Sequence, residues 1–410
     1  MMKLSDCCSF QEGYVNPAQS NAEYFDGDIK WLRSTDLTDG PVYNTSRTLT
    51  SKGFKSAGKS AILFKKNTLA ISKSGTIGTL GILQDEMCGN RAIINIDVKD
   101  NKADLKYIFY LLKNNRKQLI KAASGSIQKN LYISILGEVD VPHSFNEQNL
   151  IGKTLATLDD KIELNNKINQ ELEKTAKDLY NYWFVQFDFP DGNKRPYKSS
   201  GGKMVYNEIL KREVPEGWTV DNFNKYVTIG SGYPFNSNDY DKSGEWKIVT
   251  IKNVQDGYLD LSTIENITKI PENAPRFVKL DIGDVLISLT GNVGRTCLVD
   301  ADNLLLNQRV GKILTNDTFL LFSYLFLSTK ENKARLEQIS NGSSQQNLSP
   351  LQAVDFMFCV PCNDILNKFN KIIQPIYDKL IFNKQESRRL TILRDFLLPM
   401  LMNGQVSVSD

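Results

Sequence analysis

The sequence predicts a mixed α/β (α+β) chain in which two related globular domains are accompanied by two long helices. Three observations predict this class: an internal duplication, a heptad pattern at the end of each copy, and alternating strand and helix patterns inside the copies. Segments rich in β-branched residues, such as TLAIS and AIINIDV, indicate strands, and residues 104–123 indicate a helix. A length of 410 residues suits two or three domains.

The duplication has an offset of about half the chain. Three pairs of segments match in the same order, with shifts of 216 to 219 residues: TLAISKSGTIGT (68–79) with DVLISLTGNVGR (284–295), SGSIQKNL (124–131) with NGSSQQNL (341–348), and VDVPHSFN (139–146) with FCVPCND (358–364). The shared order and the nearly constant offset indicate that the chain consists of two copies of one unit, each about half its length.

Each copy ends in a helix with a heptad seam. Apolar residues recur at alternating spacings of four and three, interrupted by a few polar residues, and the seam includes Leu158, Ile162, Asn165, Leu172, Leu179, Ile376, Leu380, Asn383, Leu390 and Leu397. Residues 145–189 carry five basic and eight acidic residues, a net of −3, and residues 363–404 carry seven and four, a net of +3. The complementary charges and the polar seam positions predict that the two helices pack on each other, and we expect the pair to be antiparallel. Pro375 predicts a bend or a fresh helix start.

These patterns predict five segments. They are a first globular domain (1–144), a first helix (145–189), a linker (190–217), a second globular domain (218–362) and a second helix (363–404). The linker is rich in Gly, Pro, Ser and Lys, and we expect one short helix in it. An antiparallel helix pair relates the globular domains by a pseudo-twofold axis, a symmetry that suits duplex DNA.

Composition indicates a cytoplasmic protein without a membrane span. The chain has no run of eighteen apolar residues, its first residues lack the pattern of a signal peptide, and its six cysteines have no regular spacing. The net charge of +3 does not by itself indicate nucleic-acid binding. Residues 1–144 have 19 basic and 14 acidic side chains, whereas residues 218–362 have 13 and 16, so DNA binding by both domains would require clustered basic groups.

Several stretches resemble the specificity subunits of type I restriction–modification systems. The resemblance lies in RRLTILRDFLLPMLMNGQV (388–406), TLATLDDKIELNNKINQELEKTAKDLYNYWFVQF (154–187), FDFPDGNKRPYKSSGGKM (187–204) and VPEGW (214–218), and with the duplication it covers essentially the whole chain. The first helix ends in YNYWFVQF where the second has LLPMLMNG, and this difference argues against two equivalent docking surfaces.

The resemblance implies a non-catalytic subunit with two target-recognition domains. Each domain would read one half of a bipartite, asymmetric site in double-stranded DNA, and the helices would set the spacer between the halves. The implied partners are two methyltransferase (modification) subunits, which two ATP-dependent restriction subunits can join. No cofactor is expected on this chain, while S-adenosylmethionine, ATP and Mg are expected on the partner subunits.

The stretch SKSGTIGTLG (72–81) permits two kinds of site. Three glycines spaced by three could cradle a nucleotide phosphate, but no Gly-Lys-Ser/Thr follows, and the second copy replaces Gly81 with Cys297. The sequence therefore favours a strand and a tight turn with positive φ, which either faces solvent or contacts DNA. The side chains available for DNA are Lys73, Ser74, Thr76, Thr290, Asn292 and Arg295.

The second matching pair of segments offers hydroxyl and amide groups twice. Such groups contact phosphates and read adenine edges, although a turn chosen for its conformation would have a similar composition. The candidate residues are Ser126, Gln128, Lys129, Ser343, Gln345, Gln346 and Asn347. Arg91 and Arg309 follow the glycine turns at similar distances and are candidate guanine readers, or else ordinary solvated arginines.

Other chemistries lack the residues they need. The pair CVPC (359–362) cannot complete a four-ligand zinc site, and His143 is the only histidine, which argues against a histidine-based triad or metal site. Two alternatives to DNA recognition remain. One is a coiled-coil scaffold that binds two protein partners and no nucleic acid, and the other is a nucleotide enzyme that uses the glycine turn.

Overall fold

The chain forms two compact units in a computed structural model that describes residues 2–124, 129–340 and 347–408. Unit 1 comprises Met1–Leu164 and Arg388–Asp410, and unit 2 comprises Asn165–Ser387. Each long helix is therefore shared, with one part in each unit. Among the described residues, no helix is both long and apolar enough to cross a membrane.

Unit 1 is built on a five-stranded sheet with a smaller sheet beside it. Its strands are β1 (Met2–Lys3), β2 (Cys8–Glu12), β3 (Phe25–Leu32), β4 (Gly40–Val42), β5 (Thr48–Leu49), β6 (Leu69–Ser72), β7 (Leu80–Leu83), β8 (Cys88–Gly89), β9 (Ile93–Val98) and β10 (Asp140–Val141). Its helices are α1 (Leu4–Cys7), α2 (Ser51–Lys55), α3 (Leu105–Asn114), α4 (Arg116–Ala122), α5 (Ile133–Gly137) and the start of α6 (Phe145–Tyr180).

The main sheet of unit 1 has the order β2-β9-β6-β7-β4, and the smaller one has the order β5-β3-β8. Strand β6 is buried on both faces and pairs antiparallel with β7 and β9. Helix α3 covers the sheet with six consecutive buried residues, Tyr107 to Leu112. Because β6 is central, the turn that follows it is held in place by neighbours on both sides.

Unit 2 repeats this plan. Its strands are β11 (Met204–Asn207), β12 (Arg212–Pro215), β13 (Thr219–Asn222), β14 (Thr228–Ser231), β15 (Trp246–Val249), β16 (Glu265–Ile267), β17 (Lys279–Leu280), β18 (Val285–Ser288), β19 (Thr296–Leu298), β20 (Leu304–Leu306), β21 (Val310–Leu314) and β22 (Met357–Val360). Its helices are α7 (Asp317–Leu327), α8 (Lys330–Ser340), α9 (Pro350–Val354) and much of α10 (Asn363–Met402).

The sheet order β14-β21-β18-β19 in unit 2 matches β2-β9-β6-β7 in unit 1. The parallel pair β15·β20 likewise matches β3·β8. The mixed α/β class, with two related domains and two long helices, is confirmed.

The long helices pack antiparallel within unit 2 through buried polar groups. The Asn383 side-chain amide donates to Asn169 Oδ1 at 3.0 Å, and the Asn165 amide donates to Ser387 Oγ at 3.3 Å and to Glu386 Oε2 at 2.7 Å. We call Asn165, Asn169, Asn383 and Ser387 the polar layer. The duplication maps Asn165 onto Asn383 and Asn169 onto Ser387. The two hydrogen-bonded pairs of the polar layer, Asn165–Ser387 and Asn383–Asn169, are therefore related by the duplication.

Burial along the predicted seam is uneven. Asn165, Leu380 and Asn383 are buried, and the other seven seam residues are half-buried: Leu158, Ile162, Leu172, Leu179, Ile376, Leu390 and Leu397. Leu172, Leu179 and Ile376 pack against the core of unit 2, and Leu397 packs against that of unit 1.

In unit 1 the helix segments meet through charge. Asp159 of α6 accepts a hydrogen bond from the Tyr110 hydroxyl at 2.6 Å and forms an ion pair with Arg394 of α10. Burial, followed by the nearby positive charge of Arg394, lowers the pKa of Lys113 on the same face of α3. Through its contacts with Tyr110 and Arg394, Asp159 of α6 therefore links helix α3 of the globular part of unit 1 to helix α10.

Two local expectations need correction. Helix α10 runs unbroken from Asn363 to Met402, so the fresh helix start expected as one alternative at Pro375 does not occur, while the alternative of a bend stays a prediction. Pro399 is also accommodated within this helix. Proline leaves one carbonyl unpaired, and the exposed position of Pro375 lets water satisfy it. The linker contains no short helix in its described residues. Its second half pairs as the hairpin β11·β12, in which Val205 and Val214 lie opposite each other and the intervening turn holds Lys211 at φ 49°.

Candidate nucleic-acid interface

The glycine-rich stretch at residues 72–81 is the turn of a hairpin formed by β6 and β7. Gly75 and Gly78 adopt φ of 75° and 85°, a conformation that favours glycine. The Ser72 hydroxyl donates to the Thr76 carbonyl and accepts from the Thr79 amide at 3.1 Å. A strand follows the glycines, so no helix N-terminus supplies amides for a phosphate. The interpretation as a strand and tight turn is confirmed.

Unit 2 forms the same turn between β18 and β19. Gly291 and Gly294 have φ of 74° and 79°, and the Ser288 hydroxyl donates to the Asn292 carbonyl and accepts from the Arg295 amide at 3.0 Å. The third glycine, Gly81, is required for packing and not for a positive φ. A Cβ at Gly81 would lie 2.6 Å from Val42 Cγ2 on β4, a strand that the matching sheet of unit 2 lacks in its described residues. Cys297 therefore fits at the equivalent position.

In both units, the same two segments lie beside the turn. The Lys73 amide donates to the Ala92 carbonyl at 2.7 Å, and the Lys73 carbonyl accepts from the Leu131 amide at 2.9 Å. In unit 2 Leu289 makes the equivalent bonds to Arg309 and Leu348, at 3.1 and 2.8 Å. The glycine turn, the arginine segment and the end of the Ser/Gln/Asn segment are thus neighbours in each unit.

Part of the Ser/Gln/Asn prediction lies outside the described residues, namely Ser126, Gln128, Ser343, Gln345 and Gln346. The residues that flank them are placed. Lys129 and Asn347 are exposed, and the hydroxyl of buried Thr290 donates to Asn347 Oδ1 at 3.2 Å.

Arg91 and Arg309 are both exposed, but they are not structural counterparts. Strand pairing aligns Ile93 with Val310, because each lies opposite the serine that begins its turn, Ser72 or Ser288. Arg309 therefore corresponds to Ala92, and Arg91 corresponds to Gln308. The two arginines are offset by one residue, so each unit presents its guanidinium from a different position.

A depression of about 600 Å³, which we call the turn pocket, lies beside the turn in unit 1. It brings together the predicted residues Lys73, Ser74 and Arg91 with several that sequence reasoning missed, among them Glu12, Tyr14 and Tyr132. The sequence contains a weak signal for Tyr14, because the dipeptide Gly-Tyr occurs in both copies, at 13–14 and at 232–233. Thr76 is exposed at the tip of the turn.

The turn pocket combines a charged pair with aromatic side chains. Lys73 Nζ lies 2.8 Å from Glu12 Oε2, and these side chains are only 17% and 19% exposed. Tyr14 and Tyr132 are each 44% exposed. Charged donors and acceptors can read base edges, and aromatic faces can stack on bases. The pocket therefore has the groups that nucleic-acid recognition requires.

The same frame in unit 2 carries different side chains. Leu289, which is 3% exposed, replaces Lys73, and the strand pairing aligns Ser231 with Glu12. The Arg295 guanidinium donates to the Gln255 side chain, and Asn292 is exposed at the tip of the turn. Two copies of one backbone arrangement thus present unlike chemical surfaces.

The histidine and cysteines have ordinary structural surroundings. His143 Nδ1 lies 2.7 Å from the Tyr107 hydroxyl, Cys359 is buried in β22 and Cys362 is exposed. Within the described ranges, no group of three or more His, Cys, Asp or Glu residues could hold a metal ion.

Comparison with known proteins gives matches in both halves of the chain. The family model described as the type I restriction modification DNA specificity domain matches residues 1–174 and 215–389. The MjaIX specificity subunit of Methanocaldococcus jannaschii is 27% identical over 97% of this chain and 91% of its own length. The HindI specificity subunit of Haemophilus influenzae is 24% identical over 73% of this chain and 77% of its own length.

A solved structure shares the fold. The crystal structure of the type I restriction–modification system S subunit from M. genitalium aligns with a TM-score of 0.60 at 18% identity, covering 97% of this chain and 94% of that one. At this identity the likeness concerns the fold, and it extends over both repeats.

Proposed function

This chain belongs to the type I restriction–modification DNA specificity family, and from that premise we propose that it selects the DNA sequence on which a methyltransferase acts. Members of the family are non-catalytic recognition subunits. We further propose that each globular domain binds one half of a bipartite, asymmetric site in double-stranded DNA. The catalytic groups then belong to partner subunits.

One observation carries the proposal of two unlike half-sites. The turns at Gly75 and Gly291 have matching dihedral angles and hydrogen bonds, whereas the side chains around them differ at equivalent positions, such as Lys73 and Leu289. A shared backbone places both surfaces in the same way against a duplex, and unlike side chains read different base edges. This combination suits an asymmetric target.

The long helices supply the proposed spacer and docking elements. Leu164 and Phe382 correspond under the helix offset of 218 residues, and they are 51% and 53% exposed. A single exposed apolar side chain is ordinary, but its recurrence at the equivalent position of both helices supports a shared contact with protein. We assign them to two methyltransferase subunits, which would carry S-adenosylmethionine. Two restriction subunits with ATP and Mg would join through that assembly.

Footprinting of DNA with the methyltransferase complex tests the bipartite site. We expect two protected patches, separated by an unprotected spacer, on a duplex that contains the target. A single continuous patch would contradict the assignment of one half-site to each domain.

A salt series separates DNA recognition from the scaffold alternative. If the complex neutralises several phosphates, log K should fall linearly with log salt, with a slope of about −0.9 for each phosphate contacted. The absence of measurable DNA binding by the complex at low salt would favour a scaffold that binds only proteins.

A further inference from the structure

We infer that the Glu12–Lys73 ion pair reads one G·C base pair in the half-site bound by unit 1. This inference rests on the proposed function and deepens it by naming a base pair and its readers. It concerns the floor of the turn pocket, where Lys73 Nζ and Glu12 Oε2 lie 2.8 Å apart.

The ion pair is not required by the fold. Unit 2 builds the same sheet order and the same turn with Leu289 and Ser231 at the two positions. Leu289 is 3% exposed, which shows that a leucine packs well at this point of the frame. A partly buried ion pair contributes little net stability, because the desolvation of the charges offsets their attraction. The fold therefore does not depend on the pair, and its position in the turn pocket is what assigns it to recognition.

Its chemistry matches the major-groove edge of one kind of base pair. Guanine presents the acceptors O6 and N7, and cytosine presents the N4 amino donor beside them. Lys73 supplies a donor and Glu12 an acceptor next to each other, which is the complementary pattern. An A·T pair also presents an acceptor and a donor, adenine N7 and N6, but it offers Lys73 one acceptor instead of two adjacent ones, and it places the thymine O4 acceptor next to the carboxylate.

The surroundings of the pair support a contact with a ligand. Glu12 ends β2 and Lys73 follows β6, with β9 between these strands, and the more exposed Arg91, Tyr14 and Tyr132 line the same pocket. Arg91 suits a phosphate or a second guanine, and the tyrosines supply aromatic faces. The ion pair holds both charged groups at one place before DNA arrives, which lowers the entropy cost of ordering them on binding.

The decisive variant exchanges the pair for its counterparts in unit 2, Glu12→Ser with Lys73→Leu. The assembled methyltransferase is assayed on duplexes in which each position of the target carries each base pair in turn. We expect discrimination at one G·C position of one half-site to fall by about 10- to 100-fold, while the other half-site keeps its preferences.

A matched control exchanges a second ion pair in the same way. Lys312 Nζ lies 2.6 Å from Asp284 Oδ2, with side chains 12% and 16% exposed, and the strand register maps these residues onto Asn95 and Thr68. Asp284 precedes β18, whereas the turn follows it. Lys312→Asn with Asp284→Thr should leave the preference at every position unchanged.

A single isosteric variant tests the assignment if the double variant folds poorly. Glu12→Gln preserves the shape of the side chain but adds an amide donor, and glutamine pairs with adenine N6 and N7. We expect the preference at the same position to shift toward A·T. Unchanged preferences in folded, assembled variants, or a change at an A·T position or in the other half-site, would overturn the inference while leaving the proposed function intact. Failure of the unmodified complex to recognise DNA would overturn both.

Discussion

Gly75 and Gly78 show what a single residue contributes to this site. Their positive φ angles turn the chain within a few residues, and the Ser72 hydroxyl closes the loop. The need for glycine was readable in the sequence because the duplicated copy keeps both residues. The reason for Gly81 was not readable, since it depends on Val42, which lies far away in the chain.

Alanine at Gly75 tests the backbone explanation. A Cβ there would meet only Ser34 Oγ, at 3.7 Å, so the cost comes from the left-handed conformation alone. We expect Gly75→Ala to lower the free energy of unfolding of unit 1 by about 1 to 2 kcal/mol, measured by native-state hydrogen exchange. Gly40→Ala is the control, because Gly40 has open space and no positive φ; an equal loss at both positions would refute the explanation.

At the scale of elements, the two long helices were predictable, whereas the hairpin in the linker and the behaviour of the chain at Pro375 were less so. Heptad spacing is local, so it predicted both long helices and their polar seam positions. The pairing of β11 with β12 was missed because the composition of the linker masks a short strand pattern. The fresh helix start at Pro375 does not occur because the penalty of an exposed proline is outweighed by packing of the surrounding turns, including buried Ile373 and Tyr377.

The polar layer makes a prediction for the helix pair. Asn169→Ala removes the acceptor of the buried Asn383 amide, and we expect a loss of about 1 to 3 kcal/mol in the stability of the paired helix segments of unit 2. The double variant Asn169→Leu with Asn383→Leu should recover most of that loss, since neither side then leaves a polar group unpaired.

Hydrogen exchange of amides in residues 165–180 measures this effect. The exposed Gln170 supplies the control, and Gln170→Ala should change stability by less than about 0.5 kcal/mol. Additive effects of the Asn169 and Asn383 variants would show that the two side chains are not coupled.

At the scale of the whole molecule, the duplication predicts paired docking positions. We expect Leu164→Glu and Phe382→Glu each to remove one methyltransferase subunit from the complex, because a charge would be buried against an apolar partner surface. The double variant should remove both subunits, as counted by native mass spectrometry. Gln170→Glu adds the same charge at another exposed helix position and should leave the stoichiometry unchanged. Full assembly of the double variant would refute this assignment.

The proposed spacer function predicts a change in the DNA target. Inserting one heptad into both helices adds about 10 Å, which corresponds to about three base pairs of rise. The tolerated spacer should lengthen by that amount in methylation profiling, with both half-sites unchanged. Insertion into one helix alone should disturb the pairing instead. An unchanged spacer in the doubly extended protein would argue against a measuring role.

By itself, the sequence determined the duplication, the two long helices, the glycine turns and the resemblance to specificity subunits, because each depends on residue order or local spacing. Only the tertiary structure decided which side chains meet at the turn pocket. Glu12 and Lys73 are 61 residues apart, and Tyr132 is farther along the chain still. The register of the sheet brings these residues together, and it places Arg91 and Arg309 at positions that are not equivalent. Register arises from long-range strand pairing, which local patterns do not encode.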